Sequence, residues 1–75
     1  MKSISEMNIN EAGRIVSLHG GWRQQAHLRA LGLAEGQVIR KLSALAWGGP
    51  IIVLVNRAQV AIGKGMARRI VVETI

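Results

Sequence analysis

Cysteine, aspartate, phenylalanine and tyrosine are absent from this sequence of 75 residues, and proline occurs once. Without cysteine, the chain can form neither a disulfide nor a thiolate metal site. Since Trp22 and Trp47 are the only aromatic residues, the core has to be built from Ile, Val, Leu, Ala and Met. A chain of this length lies near the lower limit for folding without a disulfide or a metal. We therefore expect one domain over residues 1–75.

Long apolar runs are also missing. The longest, residues 44–55, is about half the length of a membrane span and is interrupted by Gly48, Gly49 and Pro50. The first eleven residues contain two glutamates and no apolar run, so no signal peptide is predicted. These features predict a soluble protein that does not insert into a membrane.

Residues suited to catalysis or metal binding are few. A nucleophile, its base and an orienting acid require Ser or Cys, His and a carboxylate, and neither His19 nor His27 lies in such a motif. Their spacing does not match a metal-binding His-x-x-x-His pair. The segment 63–65 (GKG) fails as a phosphate loop, because Ala58 and Gly65 replace the first glycine and the hydroxyl residue of that motif. We predict no enzyme, no cofactor and no metal site.

Short apolar runs between glycines are typical of a small all-β domain. Good helix formers predict a helix over residues 22–31, ended by Gly32 in a left-handed conformation, with Leu33 able to fold back on the last turn. Strands are predicted over residues 14–18, 38–45, 51–55, 59–62 and 70–72. Turns are predicted at 12–13 and 47–50, a hairpin loop at 56–57 and a single helical turn at 66–69. This pattern predicts a mainly β fold, a small closed or partly closed barrel of about five strands with one inserted α-helix.

Two elements carry more apolar surface than a thin barrel can bury. All five residues of the strand 51–55 are apolar, so Ile52 and Leu54 need cover from the helix, a loop or a partner. In the helix, Leu28 and Leu31 share the face expected to dock on the barrel. Trp22, Ala26 and Ala30 would then point outward as a site for a partner's side chain. The alternative is that Trp22 folds under the helix as part of the core.

The net charge of +6 favours an anionic partner, such as nucleic acid, lipid headgroups or an acidic protein face, unless it serves solubility alone. Small barrels can bind nucleic acid through basic grooves and aromatic stacking platforms. The basic residues are Arg14, Arg23, Arg29, Arg40, Lys41, Arg57, Lys64, Arg68 and Arg69. With so few aromatic residues, binding would depend on phosphates and on salt. Nucleic acid is therefore the less favoured alternative partner.

Three segments follow one another along the chain: residues 28–36 (LRALGLAEG), residues 49–51 (GPI), and residues 60–63 (VAIG) with 66–72 (MARRIVV). Together they resemble the FeoA family, the small ferrous iron transport protein A. Residues 28–36 (LRALGLAEG) are similar to the family's Leu-x-x-Leu-Gly-Leu-x-Pro-Gly signature, with Glu35 in place of the proline. Residues 49–51 resemble its Gly-Pro-Ile segment. Residues 60–63 followed by 66–72 are similar to its closing pattern. The resemblance spans about residues 28 to 72.

This resemblance implies an SH3-like barrel with a helix inserted after the first strand. It also implies a cytoplasmic accessory protein of ferrous iron uptake that binds and modulates the membrane GTPase-transporter FeoB, and that would lie at the inner face of the membrane through this partner. The same domain occurs in some iron-dependent repressors, but this chain lacks their DNA-binding helices and metal ligands. A homo-oligomer formed strand to strand is a further hypothesis. The candidate partner-binding residues are Trp22, Arg23, Ala26, Ala30, Met66, Arg68 and Arg69.

Overall fold

The computed structural model describes residues 1–45 and 48–75. Its strands are β1 (Lys2–Ser3), β2 (Ala12–Leu18), β3 (Val38–Ala44), β4 (Ile51–Val55), β5 (Ala58–Ile62) and β6 (Ile70–Thr74). Its helices are α1 (Trp22–Ala30) and α2 (Lys64–Ala67), and a 3₁₀ turn covers Ile4–Glu6. The predicted turn at 47–50 includes Trp47, which lies outside the described residues.

The strands form one antiparallel sheet in the order β1-β6-β2-β3-β4-β5. Two bulges, between Ile15 and Ser17 and between Lys41 and Ser43, interrupt the ladders and bend the strands that contain them. The buried core consists of aliphatic side chains and methionine. The mainly β fold with one inserted helix is confirmed, with a sixth strand, β1, that the sequence did not predict.

The strand β4 has the two faces expected from its sequence. Ile51, Val53 and Val55 are buried, whereas Ile52 and Leu54 are half-buried. The two-residue loop that follows is also confirmed: Asn56 and Arg57 have φ angles of 49° and 66°, as a type I′ hairpin turn requires at both positions.

The N-terminal segment corrects the sequence prediction. The predicted turn at residues 12–13 is wrong, because Ala12 and Gly13 lie inside β2 and pair with Arg40 and Ile39 of β3. Before them, β1 and the 3₁₀ turn bring Ile4 and Met7 into the core, with exposed fractions of 0% and 4%. The N-terminal residues are therefore part of the barrel.

The end of α1 follows the prediction closely. Gly32 has a φ angle of 91°, the left-handed conformation that glycine adopts without strain. The N–H of Leu33 donates to the carbonyl of Leu28 at 2.9 Å, and that of Gly32 donates to Arg29 at 3.0 Å. These are the two hydrogen bonds of a Schellman motif, and Leu33 is completely buried.

Candidate protein-binding surface

Helix α1 contacts the barrel mainly through one residue. Leu28 is 1% exposed and is the only buried residue of the helix. The predicted docking face Leu28/Leu31 is half wrong, because Leu31 is 37% exposed. Leu31 lies beyond the last helical residue, where the chain turns into the Schellman motif, and Leu33 takes the buried position instead. Most of the helix surface is consequently free to meet another molecule.

Trp22 opens this helix and is 76% exposed. The alternative in which Trp22 folds under the helix as core is therefore wrong. The guanidinium of Arg23 lies 5.6 Å from the centroid of the Trp22 ring, within the range of a cation–π interaction. Ala26 and Ala30, also exposed, add small side chains along the same helix.

Arg69 joins this helix from a distant part of the sequence. Its Nη1 donates to Oε1 of Gln24 at 2.8 Å, and its carbonyl oxygen accepts from the N–H of His19 at 2.7 Å. These bonds fix the turn before β6 against the N-terminal end of α1. We name the exposed residues Trp22, Arg23, Ala26, Ala30 and Arg69 the α1 surface.

The other two candidate residues lie elsewhere. Met66 is half-buried and packs against the core. Arg68 lines an open groove of about 500 Å³ with residues of the N-terminal segment, among them Lys2 and Glu6. In the described part of the chain no hydrogen bond joins Met66 or Arg68 to α1. Four of the seven candidates thus lie along α1, and Arg69 reaches the N-terminal part of this helix through Gln24. Met66 and Arg68 lie apart from it.

All four glutamates have partners within the chain. Glu35 accepts from Arg29 at 2.9 Å, Glu73 lies 3.5 Å from Arg14, and Glu6 accepts from the N–H of Ser3 at 2.9 Å. The fourth, Glu11, accepts from Nζ of Lys2 at 2.9 Å through Oε1. Within the described residues Arg23 and Arg69 have no carboxylate partner, so the α1 surface is cationic.

Besides Arg69, which bonds Gln24, four more of the nine basic residues considered for nucleic acid binding are engaged inside the chain. Lys41 was expected on a basic groove but is only 4% exposed, because it shares the inward face of β3 with Ile39. Arg14 and Arg29 bind glutamates, and Arg40 donates to the carbonyl of Asn10. This arrangement reduces the cationic surface available to phosphates.

The histidines have ordinary surroundings. His19 Nε2 lies 3.1 Å from Oγ of Ser17, and His27 is exposed on α1. In residues 1–45 and 48–75, His, Asp and Glu side chains do not gather in groups of three or more that could hold a metal ion. Across the same residues, neither helix is long and apolar enough to cross a membrane.

The FeoA domain family model matches residues 2–74 of this sequence. The chain belongs to the FeoA family. A crystal structure of an iron uptake regulatory protein (FeoA) is 36% identical, with a TM-score of 0.90, over 97% of this chain and 96% of that one. No curated protein matches the sequence. Family membership implies a role in ferrous iron transport, and the family is one of accessory transport proteins.

More distant structures share the fold. The solution structure of the FeoA protein from Chlorobium tepidum is 23% identical, with a TM-score of 0.89, over 97% of this chain and 70% of that one. A manganese-dependent transcriptional repressor is 17% identical, with a TM-score of 0.90, over 99% of this chain but 41% of its own. The FeoA fold therefore also forms part of larger proteins.

Proposed function

We propose that this FeoA protein binds a FeoB-like membrane GTPase-transporter through the α1 surface and modulates its activity at the cytoplasmic face of the membrane. The observation that carries the proposal is the exposure of Trp22, which is 76% exposed. The guanidinium of Arg23 lies beside its ring. Trp and Arg are the residues most enriched among those that dominate binding energy at protein interfaces. An exposed pair of this kind fits a site whose pocket is on the partner.

The charge of the α1 surface supports an acidic partner face. Arg23 and Arg69 add positive charge without a carboxylate partner in the described residues, and the whole chain has a net charge of +6. The electrostatic field of this positive charge accelerates the encounter with an acidic surface and orients the two proteins as they meet. The hydrogen bond from Arg69 to Gln24 ties the N-terminal part of α1 to the turn before β6, so the helix backbone needs little further ordering when Trp22 binds.

The test compares three variants for binding to the purified cytoplasmic part of the transporter and for ferrous iron uptake in cells. Trp22→Ala and Arg23→Glu should each weaken binding about 10-fold or more, as expected for a central interface residue. Arg57→Glu makes the same charge change in the β4–β5 hairpin loop and should weaken binding much less. If both α1 variants bind and support uptake like the natural protein, the α1 surface is not the docking site.

Nucleic acid binding is a second candidate, favoured by the same exposed Trp22, since an aromatic ring beside an arginine can also stack a base. It predicts affinity for mixed RNA or single-stranded DNA that falls steeply with salt. Absence of detectable binding at physiological salt would eliminate it. Loss of binding in Trp22→Ala, with the transporter interaction intact, would favour it over the first proposal.

A further inference from the structure

The strand β5 forms one edge of the sheet. It pairs with β4 over its whole length, from Val55↔Ala58 to Ile51↔Ile62. A two-residue loop makes Val55 and Ala58 a hydrogen-bonded pair, so alternate residues of β5 direct their N–H and C=O groups toward β4. Gln59 and Ala61 direct theirs away from it. In the described part of the chain no backbone or side-chain hydrogen bond reaches these outward groups.

This edge lacks the usual protection against pairing. Natural sheets block exposed edges with charged residues, proline, bulges or very short strands. Residues 58–62 (AQVAI) contain neither charge nor proline, and the β4–β5 register runs without a bulge. At the opposite edge, β1 has only two residues. The exposed edge of β5 is therefore the longer and less protected one.

We propose that two copies of this protein associate by pairing β5 with β5, antiparallel, about a two-fold axis at Val60. In this register Gln59 of each copy lies opposite Ala61 of the other. The outward groups of both residues then form about four main-chain hydrogen bonds. Val60 is half-buried and packs against the core. It would meet its counterpart in a close non-hydrogen-bonded pair, which covers its remaining apolar surface.

The charge pattern fits a second copy at this edge. The residues that would pair, 58–62, contain no charged side chain, and the flanking Arg57 and Lys64 lie in the hairpin loop and in α2. No cation therefore faces a cation within the paired strands, although each chain has a net charge of +6. The remaining repulsion is between whole molecules, and salt screens it because the Debye length falls from about 10 Å at 0.1 M to about 3 Å at 1 M. Self-association should therefore strengthen with salt.

This inference goes beyond the transporter proposal, since it uses a different element and needs no other protein. It also has the opposite salt dependence, because salt weakens binding to an acidic partner or to nucleic acid. A single pair of short strands buries less than the roughly 1,200 Å² of a stable interface. The dimer is thus expected only at high protein concentration.

The experiment is sedimentation velocity on the full chain from roughly 50 µM to 1 mM, at about 0.1 M and 0.5 M salt. Ala61→Pro removes an outward N–H and leaves the β4 ladder intact. Ala61→Ser, the matched control, keeps that N–H. We expect the natural protein and Ala61→Ser to dimerise as concentration and salt rise, and Ala61→Pro to remain monomeric with an unchanged circular dichroism spectrum.

A second measurement needs no variant. Amide exchange of Gln59 and Ala61 in the natural protein should slow at least several-fold between dilute and concentrated samples, while exchange at residues of β1 stays constant. A monomer at about 1 mM in 0.5 M salt, or a dimer whose exchange at Gln59 and Ala61 does not change, would overturn the proposal.

Discussion

The Nζ of Lys41 lies 2.7 Å from the carbonyl oxygen of Met7. The same ammonium donates to the carbonyls of Ile4 and Ser5, each at 3.2 Å, so its three hydrogens match three main-chain acceptors. Lys41 is on β3, whereas its acceptors belong to the 3₁₀ turn and the residue that ends it. The side chain thus attaches the N-terminal segment to the middle of the sheet. Burial lowers the pKa of Lys41.

Replacing Lys41 by methionine should destabilise the protein by about 1–3 kcal/mol, because buried carbonyl oxygens lose their donor. The measurement is urea unfolding, with Lys64→Met as the control that makes the same change at a less buried position. Amide exchange should show the loss mainly in residues 1–11. Equal stability of the two variants would mean that burying the ammonium costs as much as its hydrogen bonds return.

The lowered pKa of Lys41 also predicts how the stability of the protein changes at alkaline pH. The unfolded chain holds this proton to higher pH than the folded chain, so the Lys41 contribution to stability rises with pH between the folded and the unfolded pKa. The free energy of unfolding of Lys41→Met should lack this rise. If both proteins show the same slope above neutral pH, the ammonium is not perturbed by burial.

The two leucines at the end of α1 should respond very differently to truncation. Leu28→Ala removes the single buried contact of the helix and should cost about 2–4 kcal/mol. Leu31→Ala is the matched control, since Leu31 is 37% exposed and should cost below about 1 kcal/mol. Thermal unfolding of both variants measures the difference between their stabilities. Similar losses would show that Leu31 packs on the barrel as firmly as Leu28.

Gly13 is required by the close approach of β2 to β6. A Cβ at this position would lie 3.1 Å from Cβ of Val72 and 3.2 Å from the carbonyl oxygen of Glu73. Neither atom can move without shifting the backbone of β6. Gly13→Ala should therefore lower the free energy of unfolding by about 1–3 kcal/mol. Gly65→Ala is the control. Gly65 lies in α2 with no atom near its added Cβ, so that change should stabilise by up to about 1 kcal/mol.

Glu11 is expected to contribute stability that is lost in acid. Its carboxylate accepts from Nζ of Lys2 at 2.9 Å, from the N–H of Asn8 at 2.8 Å and from Oγ1 of Thr74 at 3.2 Å. The Lys2 bond above all, with the Asn8 amide, lowers the pKa of Glu11. The unfolded chain then binds the proton first as pH falls, so this contribution is complete above the unfolded pKa and lost as pH falls through the folded one.

Glu11→Gln should therefore be less stable than the natural protein near neutral pH and should lose less stability between about pH 5 and pH 2. Chemical unfolding at a series of pH values measures this. Glu73→Gln is the control, because Glu73 lies 3.5 Å from Arg14 in a largely exposed pair. Parallel curves for Glu11→Gln and the natural protein would contradict the role of Glu11.

The apolar pattern of β4 was enough to predict its buried face, and Gly32 was enough to predict the end of α1. The N-terminal segment was not predictable in the same way. Ile4 and Met7 are isolated apolar residues among polar ones, without helical or strand periodicity, and they become core only because β6 offers a partner to β1. Such pairing between distant residues leaves no local signal in the sequence.

Only part of the α1 surface could be predicted, because contacts between residues that are distant in sequence leave no local signal. Residues of one helix, Trp22 to Ala30, could be grouped from spacing alone, but the arrival of Arg69 depends on tertiary packing. Lys41 carried a signal that the sequence reasoning did not use. Strand alternation puts it on the same face as Ile39 and opposite to Arg40, so the two neighbouring basic residues could have been assigned to different environments.

Strand β6 lies between β1 and β2, although it follows the other five strands of the sheet in the sequence. A nascent chain that ends at residue 69 therefore leaves β1 without its partner and β2 with one open edge. Since long-range strand pairing must wait for the whole sequence, we expect the barrel to close only when residues 70–74 have left the ribosome.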